Sequence, residues 1–257
     1  MSAPCCCGRE KRGKMMQHTE GSQALGIGSI ASFTLPPAPC LPPIHRFGPG
    51  PHFVDMEIEY PKYTEGLPPA EWPKVRGVVQ LEMAPLDQMP VAVNMFLQQV
   101  HHQLWNGCSF VINAIHIIQA GPHRHKVPGE VTYDANVADL HDRFHNARLT
   151  KMPFQEYHAE FPHARYTVGF AGRPAGPDFY INKIDNSVNH GPGGQAHHDL
   201  HEEADPCFAK VVGGAEVLED LDRVPMDRDQ GYLLLYPVEI VQARVRLRHQ
   251  ITEPVTK

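Results

Sequence analysis

The sequence predicts a mainly β fold, in which one antiparallel sheet closes into a barrel and helices cover its ends. The chain contains many short segments that alternate apolar and polar residues or are rich in β-branched residues, with glycine- and proline-rich loops between them. Only two segments show clear helical spacing of apolar residues. Because so many strands in an open sheet would leave exposed edges, we expect the sheet to be closed.

The first predicted elements are two strands and a helix. "FVDMEIEYP", from Phe53, alternates apolar and acidic residues, as a strand with one solvated side does, and "GVVQLEMAP" (residues 77–85) repeats the pattern. Apolar residues then recur every three or four positions, which predicts an amphipathic helix over Pro90–Trp105. Pro90 suits its first turn, and Asn106-Gly107 suits its end.

The remaining predicted elements are mostly short strands. A second helix is predicted at "AEVLEDLDRV" (residues 215–224), and a short third helix around Val137–Phe144. The predicted strands are "SFVINAIHIIQAGP" (Ser109–Pro122), "YTVGFAG" (Tyr166–Gly172), "DFYINKI" (Asp178–Ile184), "CFAKVVGG" (Cys207–Gly214) and "VEIVQARVRLR" (residues 238–248).

The domain organisation is predicted to be a flexible tail followed by one globular domain. Residues 1–50 end in "LPPAPCLPPIHRFGPGP", a composition typical of an extended linker, or alternatively of a ligand for an SH3-like or WW-like partner. Residues 51–250 form the predicted domain. The 42% hydrophobic content and 20% charged content fit a soluble globular protein, and the net charge of −6 argues against nucleic-acid binding.

The six cysteines do not form a metal-binding pattern. Cys5–Cys7 form a run, the other three are scattered, and no Cys-x-x-Cys pair occurs. We expect reduced thiols in a cytoplasmic protein, since the start of the chain lacks a secretory signal. Alternatively, acylation of the Cys5–Cys7 run beside "REKRGK" would anchor the chain to a membrane; otherwise membrane association is not expected.

The order of these elements resembles that of the cyclophilin family of peptidyl-prolyl cis-trans isomerases. "LDQMPVAVNMFLQQV" is similar to the family's first helix, and "FAKVVGGAEVLEDL" is similar to its closing strand and second helix. The resemblance covers roughly Phe53–Leu247. It implies a closed eight-stranded antiparallel barrel with a helix over each mouth, a proline-binding groove on the outside, and rotamase activity in protein folding.

The resemblance also implies a site in the first strand pair. Gln119 holds the family's glutamine position and is the expected catalytic residue, whereas Val111 stands at the position of the catalytic arginine. His116 stands where an aromatic ring lines the proline pocket, with Ile117 beside it, and both are expected to bind substrate.

Further substrate-binding residues are implied in later segments, and most depart from the family pattern. Ala171 keeps the family's alanine, while Gly172 replaces an asparagine and Asp178 a glutamine. Tyr180 replaces the phenylalanine of the proline pocket, and Asp205 replaces a histidine. The family's tryptophan should fall in "HHDLHEEAD", which has none.

The valine predicts low isomerase activity. The barrier to rotation about a prolyl bond is about 20 kcal/mol, and in the family the arginine donates a hydrogen bond to the proline nitrogen. Val111 cannot donate, so the rate is expected to be low, unless Arg173 or Arg124 replaces the donor from a loop. His116 is expected to weaken proline binding and make it pH-dependent, or alternatively to be satisfied by a backbone carbonyl.

Three functional hypotheses follow. The first is a peptidyl-prolyl isomerase of low rate, and the second is a catalytically weak or inactive module that binds proline-containing peptides or client proteins. The third, a metal-dependent barrel such as a cupin, is suggested only by the 17 histidines, which include a cluster at 190–201. We expect no cofactor, no functional metal and a monomer.

Overall fold

The structure is a computed structural model, and it describes residues 46–124, 135–194 and 204–246, with the side chains of 135–138 excepted. The predicted tail therefore lies almost wholly outside the described residues. The strands are β1 (Phe53–Pro61), β2 (Lys74–Met83), β3 (Ser109–Asn113), β4 (Ile117–Gly121), β5 (Thr167–Phe170), β6 (Phe179–Asn182), β7 (Cys207–Gly213), β8 (Met226–Asp227) and β9 (Leu233–Arg246).

The sheet is antiparallel and closes on itself. Its strand order is β1-β2-β7-β5-β6-β4-β3-β9, and β1 also pairs with β9, so eight strands form a complete barrel. The one remaining strand of the described residues, β8, lies outside the barrel and pairs with the start of β9. The prediction of a closed, mainly β barrel is confirmed, with one short strand more than the resemblance implied.

The helices that contribute to the core begin close to the predicted residues. The first, α1 (Pro90–His101), packs Val93, Phe96 and Leu97 into the core, and the last, α4 (Ala215–Leu221), packs Val217, Leu218 and Leu221. Between them lie α2 (Ala135–Asn146), near the predicted third helix, and the short α3 (Ser187–His190). None of the helices in the described part of the chain is long and apolar enough to cross a membrane.

Three predicted elements are longer than the observed ones. The helix predicted to Trp105 ends at His101, because Gln103 has a left-handed backbone (φ 56°). The strand predicted over Asp178–Ile184 is observed only as β6. The backbone amide of Lys183 still bonds the carbonyl of His116, in the register that pairs Asn182 with Ile117, but neither Lys183 nor His116 belongs to a strand. The same bond accompanies a break between β3 and β4, so His116 lies in a loop and not within one long strand.

The scattered thiols in the described segments are buried. Cys108 and Cys207 are free, and burial raises the pKa of each thiol to about 12. Both are therefore protonated at neutral pH and unreactive as nucleophiles. This agrees with the expectation of reduced, buried cysteines at these two positions, while Cys5–Cys7 and Cys40 lie outside the described residues.

Candidate functional site

The candidate site lies on the outer wall of the barrel, where β3, β4, β6 and β5 run side by side. Ile118 and Ala120 of β4 pack into the main core, so Gln119 between them points outward. Its register partners are Ile112 of β3 and Tyr180 of β6. This row of side chains forms the base of the site.

Gln119 and Val111 line the same cavity. The cavity has a volume of about 350 Å³, and its other lining residues are Ile112, His123, Arg124, Asp178, Leu233 and Leu234. The side-chain amide of Gln119 donates a hydrogen bond to Asp178 Oδ2 at 3.2 Å. Val111 itself is apolar and supplies no donor, and the one arginine among the lining residues is Arg124.

Asp178 is the carboxylate among the residues that line this cavity. Burial raises its pKa, although His123, the Gln119 amide and His141 act in the opposite direction. The His123 ring nitrogen lies 4.0 Å from the carboxylate. Gly121 makes this approach possible, because a Cβ at that position would lie 2.8 Å from Asp178 Oδ2.

A second group of side chains, beyond Tyr180, is organised by the buried carboxylate of Asp205. Arg173 donates to Oδ1 from Nε (3.0 Å) and Nη2 (2.8 Å), in a charged pair that is almost fully buried. The Tyr180 hydroxyl donates to Oδ2 at 2.9 Å, and His190 Nδ1 lies 2.7 Å from the same oxygen. We call these four residues, together with His163, the Asp205 cluster.

His163, the fifth member of the Asp205 cluster, is held by contacts with a backbone carbonyl and with a side chain. Its Nε2 lies 2.8 Å from the backbone carbonyl of Asp205, and its Nδ1 lies 3.4 Å from the Tyr180 hydroxyl. Gly169 leaves the space for both rings, because a Cβ there would lie 2.8 Å from the Tyr180 hydroxyl and 2.9 Å from His163.

Burial and charge set the protonation states in the Asp205 cluster. Burial alone would raise the pKa of Asp205, but hydrogen bonds and charge from His190, Tyr180 and Arg173 hold that pKa below its ordinary value. Burial lowers the pKa of His163 to about 4 and raises that of Tyr180 well above its usual range. At neutral pH the cluster therefore holds a carboxylate, a neutral His163 and a neutral tyrosine.

A column of aromatic rings covers the position at which the resemblance implies a proline pocket. The His190 ring lies 4.7 Å from the Tyr180 ring, and the His116 ring stacks on His190 at 5.9 Å with an angle of 18° between the planes. Tyr180 is 1% exposed as a result. Burial, together with His190 and Lys183, lowers the pKa of His116, so this ring is neutral at neutral pH.

The other predicted residues lie around these two groups. Ile117 is buried and packs with Tyr180 in a small apolar cluster outside the barrel, against which Ala171 also packs. The Ala171 amide donates to the backbone carbonyl of Asp178 at 2.8 Å, and Gly172 has a left-handed backbone (φ 91°). All the predicted site residues thus lie on one face, but their roles in binding or catalysis stay predictions.

Sequence reasoning missed part of the Asp205 cluster. It did not identify His163, and it placed His190 only in a possible metal-binding loop. Arg173, considered as a replacement donor, is committed to Asp205, whereas Arg124 lines the cavity beside Val111. Within the described ranges no group of three or more histidine, cysteine, aspartate or glutamate side chains could hold a metal ion; His125, His197, His198 and His201 lie outside them.

Comparison with known proteins gives one family. The family model described as "Cyclophilin type peptidyl-prolyl cis-trans isomerase/CLD" matches residues 73–245. No curated protein matches the sequence significantly. A similar solved structure is a Cryptosporidium parvum cyclophilin-type peptidyl-prolyl cis-trans isomerase, at 15% identity and a TM-score of 0.47, covering 78% of this chain and 99% of that one. A structure of the Cryptosporidium parvum isomerase in the presence of the dipeptide Ala-Pro gives 18% identity and 0.46, covering 66% and 93%.

Proposed function

Because the chain belongs to the family of cyclophilin-type peptidyl-prolyl cis-trans isomerases, we propose that it binds proline-containing segments of client proteins on the outer wall and isomerises X-Pro bonds there at a low rate. The observation that carries the proposal is the shared cavity of Gln119 and Val111. It offers an amide that can bond a substrate backbone, next to a wall that lacks the arginine.

The low rate follows from transition-state electrostatics. During rotation the proline nitrogen becomes pyramidal and gains a lone pair, which a fixed donor stabilises. Losing one such donor typically costs about 100- to 1000-fold in rate. Val111 supplies no donor, and the guanidinium of Arg173 is held by the buried Asp205. Unless Arg124, which also lines the cavity, donates in its place, substrate binding and desolvation of the imide are the contributions that remain.

A second candidate function is a binding module that holds a proline-containing segment without turnover. The observation in its favour is the ring column, since His190 and His116 occupy the space in front of Tyr180. A proline ring would have to bind beside this column, against Ile112 and Ala171, or displace it. Such a site would bind a proline-containing segment but keep the imide bond of that segment away from Gln119.

The decisive experiment restores the donor. We expect Val111→Arg to raise kcat/KM on an Ala-Pro peptide by about 100-fold, measured in a protease-coupled assay or by exchange NMR. The matched control is Val212→Arg, which adds the same charge at an exposed position of β7. Gln119→Ala should lower whatever activity the wild type has.

Three outcomes separate the hypotheses. Turnover above background that is lost in Gln119→Ala supports the enzyme. Peptide binding with no turnover, in both wild type and Val111→Arg, supports the binding module and contradicts the enzyme. If Arg124→Gln has a much lower kcat/KM than the wild type, Arg124 is the donor, and the proposal of a site without a donor is contradicted.

A further inference from the structure

A second cavity lies at β1, β9 and the end of α1. Its volume is about 540 Å³, and three of its lining residues are arginines: Arg46, Arg244 and Arg246. The imidazole of His101 also lines this cavity. Three guanidiniums around one cavity stand out in a chain whose net charge is −6.

The arginines have few partners for their donors. Asp55 is the one carboxylate among the lining residues, and it lies 3.0 Å from Arg246 Nη2 without a well-oriented hydrogen bond. Arg46 Nη1 donates to Gln98 Oε1 at 2.6 Å. Three guanidiniums and one carboxylate line the cavity, so the charge of its lining side chains is net positive.

Arg244, like Arg46, is accessible to solvent. It is exposed on the outer face of β9 and donates to the side chain of Gln242, which is neutral. Its register partner on β1 is Asp55, the carboxylate already paired with Arg246. An external anion would therefore meet Arg244 with its charge uncompensated.

The sequence on either side offers little negative charge to this cavity. Residues 1–45 contain four lysines and arginines and two glutamates. Residues 247–257 contain one arginine and one lysine against one glutamate. By charge count, both segments are net cationic in their side chains.

We propose that this cavity binds a phosphate-bearing small molecule. Guanidinium forks match phosphate oxygens in pairs, and the cavity falls in the range of about 300–1,000 Å³ that is usual for small-molecule sites. Phe47, Val100 and Val245 supply an apolar wall for the remainder of the ligand. The site shares no lining residue with the Val111–Gln119 cavity, so it is independent of the proposed isomerase function.

The test is calorimetric titration of the full chain with inorganic pyrophosphate at low ionic strength. We expect saturable one-to-one binding that weakens when salt is raised. Arg244→Gln should weaken binding about 10-fold or more, and so should Arg46→Gln, which changes the α1 side of the cavity. Arg76→Gln is the matched control, because Arg76 is an exposed arginine on β2 that is paired with Glu57 and Glu59 outside this cavity.

Two results would overturn the proposal. The first is an absence of saturable pyrophosphate binding by the folded wild type, including the case in which the chain binds only vesicles that contain a phosphoinositide. The second is an equal loss of affinity in Arg76→Gln and Arg244→Gln, which would show diffuse attraction to surface charge. Thermal unfolding of each variant verifies the fold, and Arg244→Gln is expected to keep the wild-type Tm because its side chain is exposed.

Discussion

The buried carboxylate of Asp205 joins side chains from distant parts of the sequence. From sequence it was recognised only as a carboxylate at a histidine position. In the structure it neutralises Arg173 and bonds Tyr180 and His190, which lie 15 to 32 residues away along the chain. No local pattern joins residues so far apart, so the residue could be chosen from sequence while its partners could not. Removing such a carboxylate would leave a buried guanidinium without its counter-charge.

Protonation of His163 should make the free energy of unfolding depend on pH. Its pKa is about 4 in the folded chain, against an ordinary value of about 6.5 in the unfolded chain. Between these values the unfolded chain binds the extra proton. The contribution of His163 to the free energy of unfolding is therefore fully present above about pH 6.5 and is lost as the pH falls toward 4. The loss is on the order of 2–3 kcal/mol.

The measurement is urea unfolding of the wild type and His163→Gln at several values between pH 4 and pH 7. Glutamine cannot titrate but can still donate to the Asp205 carbonyl, so the pH slope should be smaller in the variant. The lowered pKa values of His102 and His116 act in the same direction, which makes the difference between the two proteins the relevant quantity. An unchanged slope, or the same change in the exposed control His145→Gln, would contradict the prediction.

At the scale of elements, alternation and helical spacing located most strands and helices. β1 was predicted because Val54, Met56 and Ile58 alternate with acidic residues, and all three are fully buried. The residue pattern alone did not locate the break between β3 and β4, because the apolar run continues through Ala114 and Ile115; only the family resemblance implied a strand pair here. The chain turns here because β3 and β4 pair with each other, and the carbonyl of His116 in the turn accepts from Lys183 N and from the Asn186 amide.

The start of α1 depends on a residue far from it in sequence. Met89 at the N-cap makes no side-chain cap, and the carboxylate of Glu156 accepts instead from the amides of Val91 (3.0 Å) and Ala92 (2.7 Å). Burial raises the pKa of Glu156, against the effect of these two bonds. The proline at the first helical position was visible in the sequence, but a cap from 64 residues away was not.

We expect Glu156→Ala to lower the free energy of unfolding by about 1–2 kcal/mol, because two helix N–H groups, one buried and one part-buried, lose their acceptor. Denaturant unfolding at neutral pH measures it. Glu160→Ala is the control, since that carboxylate is exposed and accepts only from Gln88; its unfolding should stay within about 0.5 kcal/mol of wild type. Equal effects from both variants would show that the cap contributes nothing.

At the scale of the whole molecule, closure of the barrel places the two cavities apart. The number of strands predicted the closed sheet, and the resemblance to the cyclophilin family implied the outward direction of Gln119. The sequence could not predict that Tyr180 would be covered by His190 and His116, since that packing depends on loops whose course has no periodic signal. The anion-binding cavity was missed for a similar reason: Arg46 and Arg246 lie 200 residues apart.

The long strand β9 connects the two cavities, which leads to a prediction about coupling. Leu233 and Leu234 line the Val111–Gln119 cavity, whereas Gln242 to Arg246 line the arginine cavity. Eight residues from Leu234 to Gln242, at about 3.3 Å each, separate the two by roughly 25 Å along the strand. Sites that far apart without shared partners usually behave additively, to within about 0.5 kcal/mol.

We therefore expect Val111→Arg to leave pyrophosphate affinity unchanged within about twofold, and Arg244→Gln to leave the gain in kcat/KM of Val111→Arg unchanged. Titration and the isomerase assay on both single variants and the double variant measure this. A coupling energy above about 1 kcal/mol would contradict this expectation and would show that β9 transmits a change between the cavities.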